Sequence, residues 1–145
     1  MTKDVALTIQ GYHRQDGVWQ EPVITSARGK YIFRSGHHFV SYEENLPEGV
    51  VKGLLKLSED GLEVSKKGAL SSSLALSEGK RILTRYGTAA GTLEFETLTK
   101  SVSLQEREGR LELEACYALY ARGGEEPLQE SRIVICVEEG TSSDE

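Results

Sequence analysis

Apolar and polar residues alternate with a period of two along nearly the whole chain, and a helical fold cannot satisfy that pattern. Successive strand side chains point to opposite faces, so alternation signals one buried and one wetted face. Val5, Leu7 and Ile9 alternate with Ala6, Thr8 and Gln10. Val23, Thr25, Ala27, Gly29, Tyr31 and Phe33 alternate with Arg28, Lys30, Ile32 and Arg34, and a further strand runs from His38 to Glu44. Val51, Gly53, Leu55 and Leu57 oppose Lys52 and Lys56, and Leu62 and Val64 resume that apolar face. The pattern continues through Leu70, Ser72, Leu74 and Leu76, then Ile82, Thr84 and Tyr86, then Leu111 to Leu119, and last Ile133, Ile135 and Val137. Segment 70–86 is the one competitor for a helix, and its serine run with leucines at every second position favours strand.

Turn residues divide these runs. Asp16-Gly17, Ser35-Gly36, Lys67-Gly68 and Glu78-Gly79 mark tight turns, and Asn45 to Gly49 reads as a loop. Glu59-Asp60-Gly61 reads as a type I′ hairpin turn, since Asp-Gly accepts positive φ. The run from Thr92 to Leu104 has a parity fault: Leu93 and Phe95 are odd, whereas Leu98, Val102 and Leu104 are even. One extra residue must intervene, and a β-bulge is expected near Thr97. About ten strands joined by hairpins predict an all-β, up-and-down antiparallel barrel, because closure removes the exposed sheet edges. Residues 1–139 form a single domain in this reading, and 140–145 a frayed, disordered acidic tail.

A chain of 145 residues can bury about two thirds of its unfolded surface, enough for a core without disulfides or metal. Its net charge of −6 makes general binding of nucleic acid or an anionic membrane unfavourable. No apolar run is long enough to span a bilayer, and the N-terminal residues lack a signal-peptide core, so a cytoplasmic protein is expected. The charge is uneven. Residues 50–90 hold 7 basic against 4 acidic groups, and residues 91–145 hold 5 against 13. Lys52, Lys56, Lys66, Lys67, Arg81 and Arg85 could thus form a basic outer patch, weighed against ordinary solvated strand faces. A last hairpin centred near Glu126 would set Cys116 opposite Cys136; two reduced thiols are the favoured expectation, a redox-sensitive pair the other.

Several short pieces share an order and a spacing: Gly29-Lys30-Tyr31, Ser41-Tyr42-Glu43-Glu44, Lys67-Gly68, Gly79 and Tyr86-Gly87-Thr88-Ala89-Ala90-Gly91-Thr92-Leu93. Together they resemble the YwiB-like family of bacterial proteins of unknown function, over about Val5 to Glu139. The resemblance implies a calycin-like (lipocalin-superfamily-type) barrel of about 8–10 strands and assigns no reaction. The family tends to have arginine where Lys66 stands and an aromatic where Leu76 stands. Lysine does not replace arginine at a bidentate anion site, so no such role carries over to Lys66.

No catalytic constellation is visible. The four aspartates, Asp4, Asp16, Asp60 and Asp144, fall near the termini or in turns. His37 and His38 point to opposite strand faces and read as solvated strand-end residues, His13 is remote, and no metal site or cofactor is expected. Gly87 to Thr92 lacks the lysine and helix of a phosphate loop. An enzyme therefore ranks last. The leading expectation is a barrel that binds a small, partly apolar ligand in its lumen, with Tyr31, Tyr42, Glu43, Arg85, Tyr86 and Tyr117 as candidate ligand-binding residues. One of Tyr42 and Glu43 must face inward, and an inward Glu43 needs a cation such as Arg28, Lys30 or Arg85. The alternative is an interaction module that uses its charged outer faces. Trp19 is expected to pack over an open barrel end.

Overall fold

The computed structural model describes residues 2–69, 71–88 and 90–139, so Leu70, Ala89 and the tail 140–145 lie outside the described residues. Eleven strands follow one another: β1 (Lys3–Gln15), β2 (Val18–Trp19), β3 (Val23–Arg34), β4 (His37–Leu46), β5 (Gly49–Ser58), β6 (Gly61–Gly68), β7 (Ser71–Ser77), β8 (Arg81–Thr88), β9 (Gly91–Arg107), β10 (Arg110–Ala121) and β11 (Gln129–Glu139). Each pairs antiparallel with its sequence neighbour, except that β2 is a short arm on the end of β1, which pairs directly with β3. β11 returns to β1 in unbroken register from Val5↔Glu139 to Arg14↔Glu130 and closes a barrel of ten strands. The expected up-and-down barrel is the fold.

The inward faces are those the alternation implies. Val5, Leu7, Val40, Leu55, Leu57, Leu62, Leu76, Leu113, Ile135 and Val137 are buried together in one cluster. The turns at 35–36, 59–60, 78–79 and 108–109 gather at one end, here the lower mouth. The turn at 47–48, the β1–β2 arm and the loop 122–128 gather at the upper mouth.

Four local expectations are corrected. The β9 bulge is present but is Lys100, between Thr99 opposite Tyr117 and Ser101 opposite Cys116; pairing is unbroken over 95–99 toward β10 and over 91–98 toward β8. The inward positions before it belong to buried Thr97 and Thr99, and Leu98 points outward opposite Ala118, which is why apolar parity misplaced the fault. Thr97 has a reason to be inside. β7 and β8 part after three pairs, and the Thr97 hydroxyl donates to the orphaned carbonyl of Ala75 at 3.2 Å. The β5–β6 turn consists of Glu59-Asp60 without positive φ; Gly61 opens β6, where a Cβ would lie 2.7 Å from the Leu76 carbonyl oxygen. Asn45 and Leu46 belong to β4, so the connection to β5 is a two-residue turn.

The fourth correction concerns the thiols. The β10–β11 hairpin turns at Gly123-Gly124, with Gly123 at φ 73°, not at Glu126. Cys116 therefore opposes Arg132, Cys136 opposes Glu112, and both cysteines are free.

One row of the sheet is closely packed. Gly29, Tyr42 and Gly53 are cross-strand partners, and the Tyr42 ring lies over Gly53 where a Cβ would overlap it. At Gly29 a Cβ would stand 2.7 Å from the Ser41 carbonyl oxygen. Tyr42 thus fills the space that two glycines vacate. Gly53→Ala is expected to cost about 1–3 kcal/mol in urea unfolding, as overpacking does. Adding Tyr42→Leu should make the double variant more stable than the two single losses predict; strict additivity would refute the contact as the cause.

Candidate functional site

The lumen carries polar groups at both mouths, because polar residues occupy inward positions where the leucine rows stop. At the upper mouth β4 turns Tyr42 and Glu44 inward, and Glu43 outward opposite Lys52. Glu44 meets Lys66 at 3.1 Å, so the inward acid is Glu44 and its cation comes from β6. Tyr42 is 4% exposed and its hydroxyl has no protein partner among the described residues. Burial, then the nearby Glu44 carboxylate, pushes its phenol up to about 12. Tyr117 on β10 is also buried and is pushed up to about 12 by burial first and by Tyr86 second, although Ser131 hydrogen-bonds it. Ser131 in turn meets His13 Nδ1 at 2.9 Å, and burial lowers the His13 pKa. Tyr86 packs edge-on against Phe95 at 6.0 Å, with burial raising its phenol too. Two further hydroxyls, Thr84 and Thr99, are fully buried on inward faces with no partner among the described residues.

At the lower mouth the order is different. Tyr31 Oη lies 2.7 Å from His38 Nδ1, and His38 Nε2 lies 2.9 Å from Glu106 Oε1. His38 is 6% exposed, not a solvated strand-end residue, and Phe33 packs on its ring at 4.9 Å. His37 faces the other way, as adjacent strand positions must. No sequence signal tied His38 to Glu106, which is 68 residues away. A pocket of about 110 Å³ opens beside this chain.

The six candidate ligand-binding residues therefore separate. Tyr42, Tyr86 and Tyr117 share the upper part of the lumen, and Tyr31 stands at the lower mouth. Glu43 and Arg85 are on the outside, where Arg85 bonds Glu94 at 3.1 Å. Glu43 lines an outer cleft of about 820 Å³ with Asp4, Arg28, Lys30 and Lys52, beside Gly29 and Gly53. The basic patch is broken up by cross-strand pairs: Lys56–Glu63, Lys66–Glu44, Arg81–Glu96 and Arg85–Glu94. Trp19 does not cap the core. It is 52% exposed on the β1–β2 arm, with the Arg14 guanidinium 5.5 Å above its ring.

The two raised phenols have a pH consequence. Both bind their proton more tightly folded than unfolded, so their contribution is complete below the ordinary tyrosine value near 10 and is lost as pH rises toward 12. Each should remove about 1.4 kcal/mol of stability per pH unit in that window. Denaturant midpoints at pH 9, 10.5 and 11.5 test this. Tyr42→Phe, which deletes an unpartnered hydroxyl, should flatten the slope without loss at pH 7.

Against known proteins, the family model for the domain of unknown function DUF1934 matches residues 7–135. The chain is 28% identical over 139 residues to the uncharacterized beta-barrel protein YwiB of Bacillus subtilis (strain 168), covering 94% of each. The crystal structure of the ywiB protein from Bacillus subtilis superposes with a TM-score of 0.82 at 23% identity, over 97% of this chain and 94% of that one. The chain belongs to the DUF1934 family, a β-barrel family without an assigned function.

Proposed function

We propose that this barrel is a binding protein for a small, partly apolar ligand that enters the lumen through the upper mouth. The observation that carries the reading is the trio of buried inward hydroxyls without partners among the described residues, Tyr42 Oη, Thr84 Oγ1 and Thr99 Oγ1. Leaving a buried hydroxyl unpaired costs about 1–3 kcal/mol, and a guest with polar atoms removes that cost. The mouth supplies the apolar half: Leu93 and Tyr86 stand partly exposed above Phe95. Binding fits better than catalysis. The phenols of Tyr42, Tyr86 and Tyr117 are all raised, away from the range in which a side chain gives up a proton. Free thiols suit a reducing compartment, and we place the protein in the cytoplasm.

Native and denatured mass spectra of the protein purified from cells test the reading. A native excess that disappears on denaturation is expected, and Thr84→Val with Tyr86→Ala should reduce it. A bare native mass, with no uptake of a fluorescent apolar probe by either form, overturns it.

The outer cleft supports a second reading, docking of an acidic protein segment. Among the described residues Arg28 and Lys52 have no ion-pair partner there. In that case Arg28→Glu with Lys52→Glu should abolish salt-sensitive retention on polyglutamate; unchanged retention removes the reading.

A further inference from the structure

The lower mouth is chemically separate from the site just proposed. With a neutral imidazole, the Glu106 carboxylate accepts from His38 Nε2, because a carboxylate has no proton to give. Nε2 then carries the hydrogen and Nδ1 is the lone pair, so the Tyr31 hydroxyl must donate to Nδ1. The phenol's one proton is thereby committed inside the wall, and its remaining lone pairs are available to the pocket beside it. Tyr31 is an acceptor there, not a donor.

The pocket lining is mixed in charge: Lys3, Arg107 and Arg110 stand beside Glu106 and Glu139, and Arg110 is paired away from the pocket with Glu112 and Glu138, which leaves Glu106 and Arg107 as its acid and its cation. Tyr31 is raised by burial first, then by the Glu106 and Glu139 carboxylates, which set a negative potential at the phenol oxygen. Both acids line the same pocket. An ammonium group is already accepted at this rim, where Lys3 Nζ meets Glu139 at 3.3 Å. Arg107 also lines the pocket and contacts only Gln105, at 3.4 Å, with no acid in ion-pair range among the described residues. About 110 Å³ holds only a few heavy atoms, given roughly 30 Å³ per water.

We infer that the lower mouth is a binding site for a small primary ammonium compound, whose ammonium group donates to Tyr31 Oη and Glu106. An amino acid of the smallest size adds a carboxylate that faces Arg107; a simple amine lacks it.

The test is a titration of the full-length protein followed by amide chemical shifts, with glycine, ethylamine and acetate as probes. Glycine and ethylamine should give saturable shifts at Gly109 and its neighbours, and acetate none. Tighter glycine binding assigns Arg107 to the site, whereas equal binding confines recognition to the ammonium group. Tyr31→Phe keeps the ring and removes the acceptor, so it should weaken both amines at least tenfold. Glu106→Gln, at an exposed side chain that does not test folding, should weaken them about fivefold. No saturable shift with either amine, acetate as effective as glycine, or unchanged binding in both variants overturns the inference. Failure of the upper-mouth ligand would leave these outcomes unaffected, because the probes and variants differ.

Discussion

The pairing of β11 with β1 is the interaction on which the rest of the molecule depends. Ten residues of each strand lie in continuous register, from Val5↔Glu139 to Arg14↔Glu130, joining chain segments more than a hundred residues apart. Without it β11 and β1 would be the open edges of a long twisted ribbon, each with a row of unpaired backbone groups. Closure also makes the inward faces into a volume instead of a surface. Leu7 on β1 and Val137 on β11 become neighbours of Leu55 and Leu57 only because the sheet returns on itself. Such pairing is slow to find, since the loop entropy of a whole domain precedes its reward.

Closure has a packing consequence that falls on one row. A sheet that coils this tightly brings neighbouring backbones together, and Gly29 and Gly53 are where side chains would collide. Tyr42 sits between them and covers the gap from within. The same three residues also line the outer cleft. A single sequence choice, glycine flanking tyrosine across three strands, thus shapes both the interior and the exterior.

Much of this could be read from local pattern. Leu7, Ile9, Leu55, Leu57, Val64, Leu76 and Leu113 face inward as their parity requires, because the pleat enforces a period of exactly two without reference to any partner. What parity could not reach were features set by register between distant strands. The Glu44–Lys66 pair depends on two successive hairpin registers, since Glu44 opposes Val51 and Lys66 opposes Gly53. Whether Cys116 meets Cys136 depends on where the loop 122–128 centres the hairpin, and parity permits either centre. His38 and Glu106 lie on strands that never pair, so only the closed barrel brings them together. Thr97 shows a chemical reason: a threonine looks polar in sequence, yet inside the wall its hydroxyl can replace a missing ladder bond, as it does for Ala75.

Both mouths carry a hydrogen-bonded chain, and the two end differently. At the upper mouth Tyr117 is linked through Ser131 to His13, a chain with no carboxylate to fix the direction of its protons. Hydroxyls can rotate and imidazole can change tautomer, so that chain can present either a donor or an acceptor to what lies in the lumen. At the lower mouth, with a neutral His38, Glu106 fixes the direction, because it accepts only, and His38 and Tyr31 follow in a single order. One end of the barrel is therefore adaptable in its hydrogen bonding and the other is committed. For the two proposed sites, an adaptable lining beside unpartnered hydroxyls would suit a range of polar guests, whereas a committed acceptor beside Glu106 would suit an ammonium group. The difference rests on which residue terminates each chain, a histidine or a glutamate, and not on any difference in the strands that carry them.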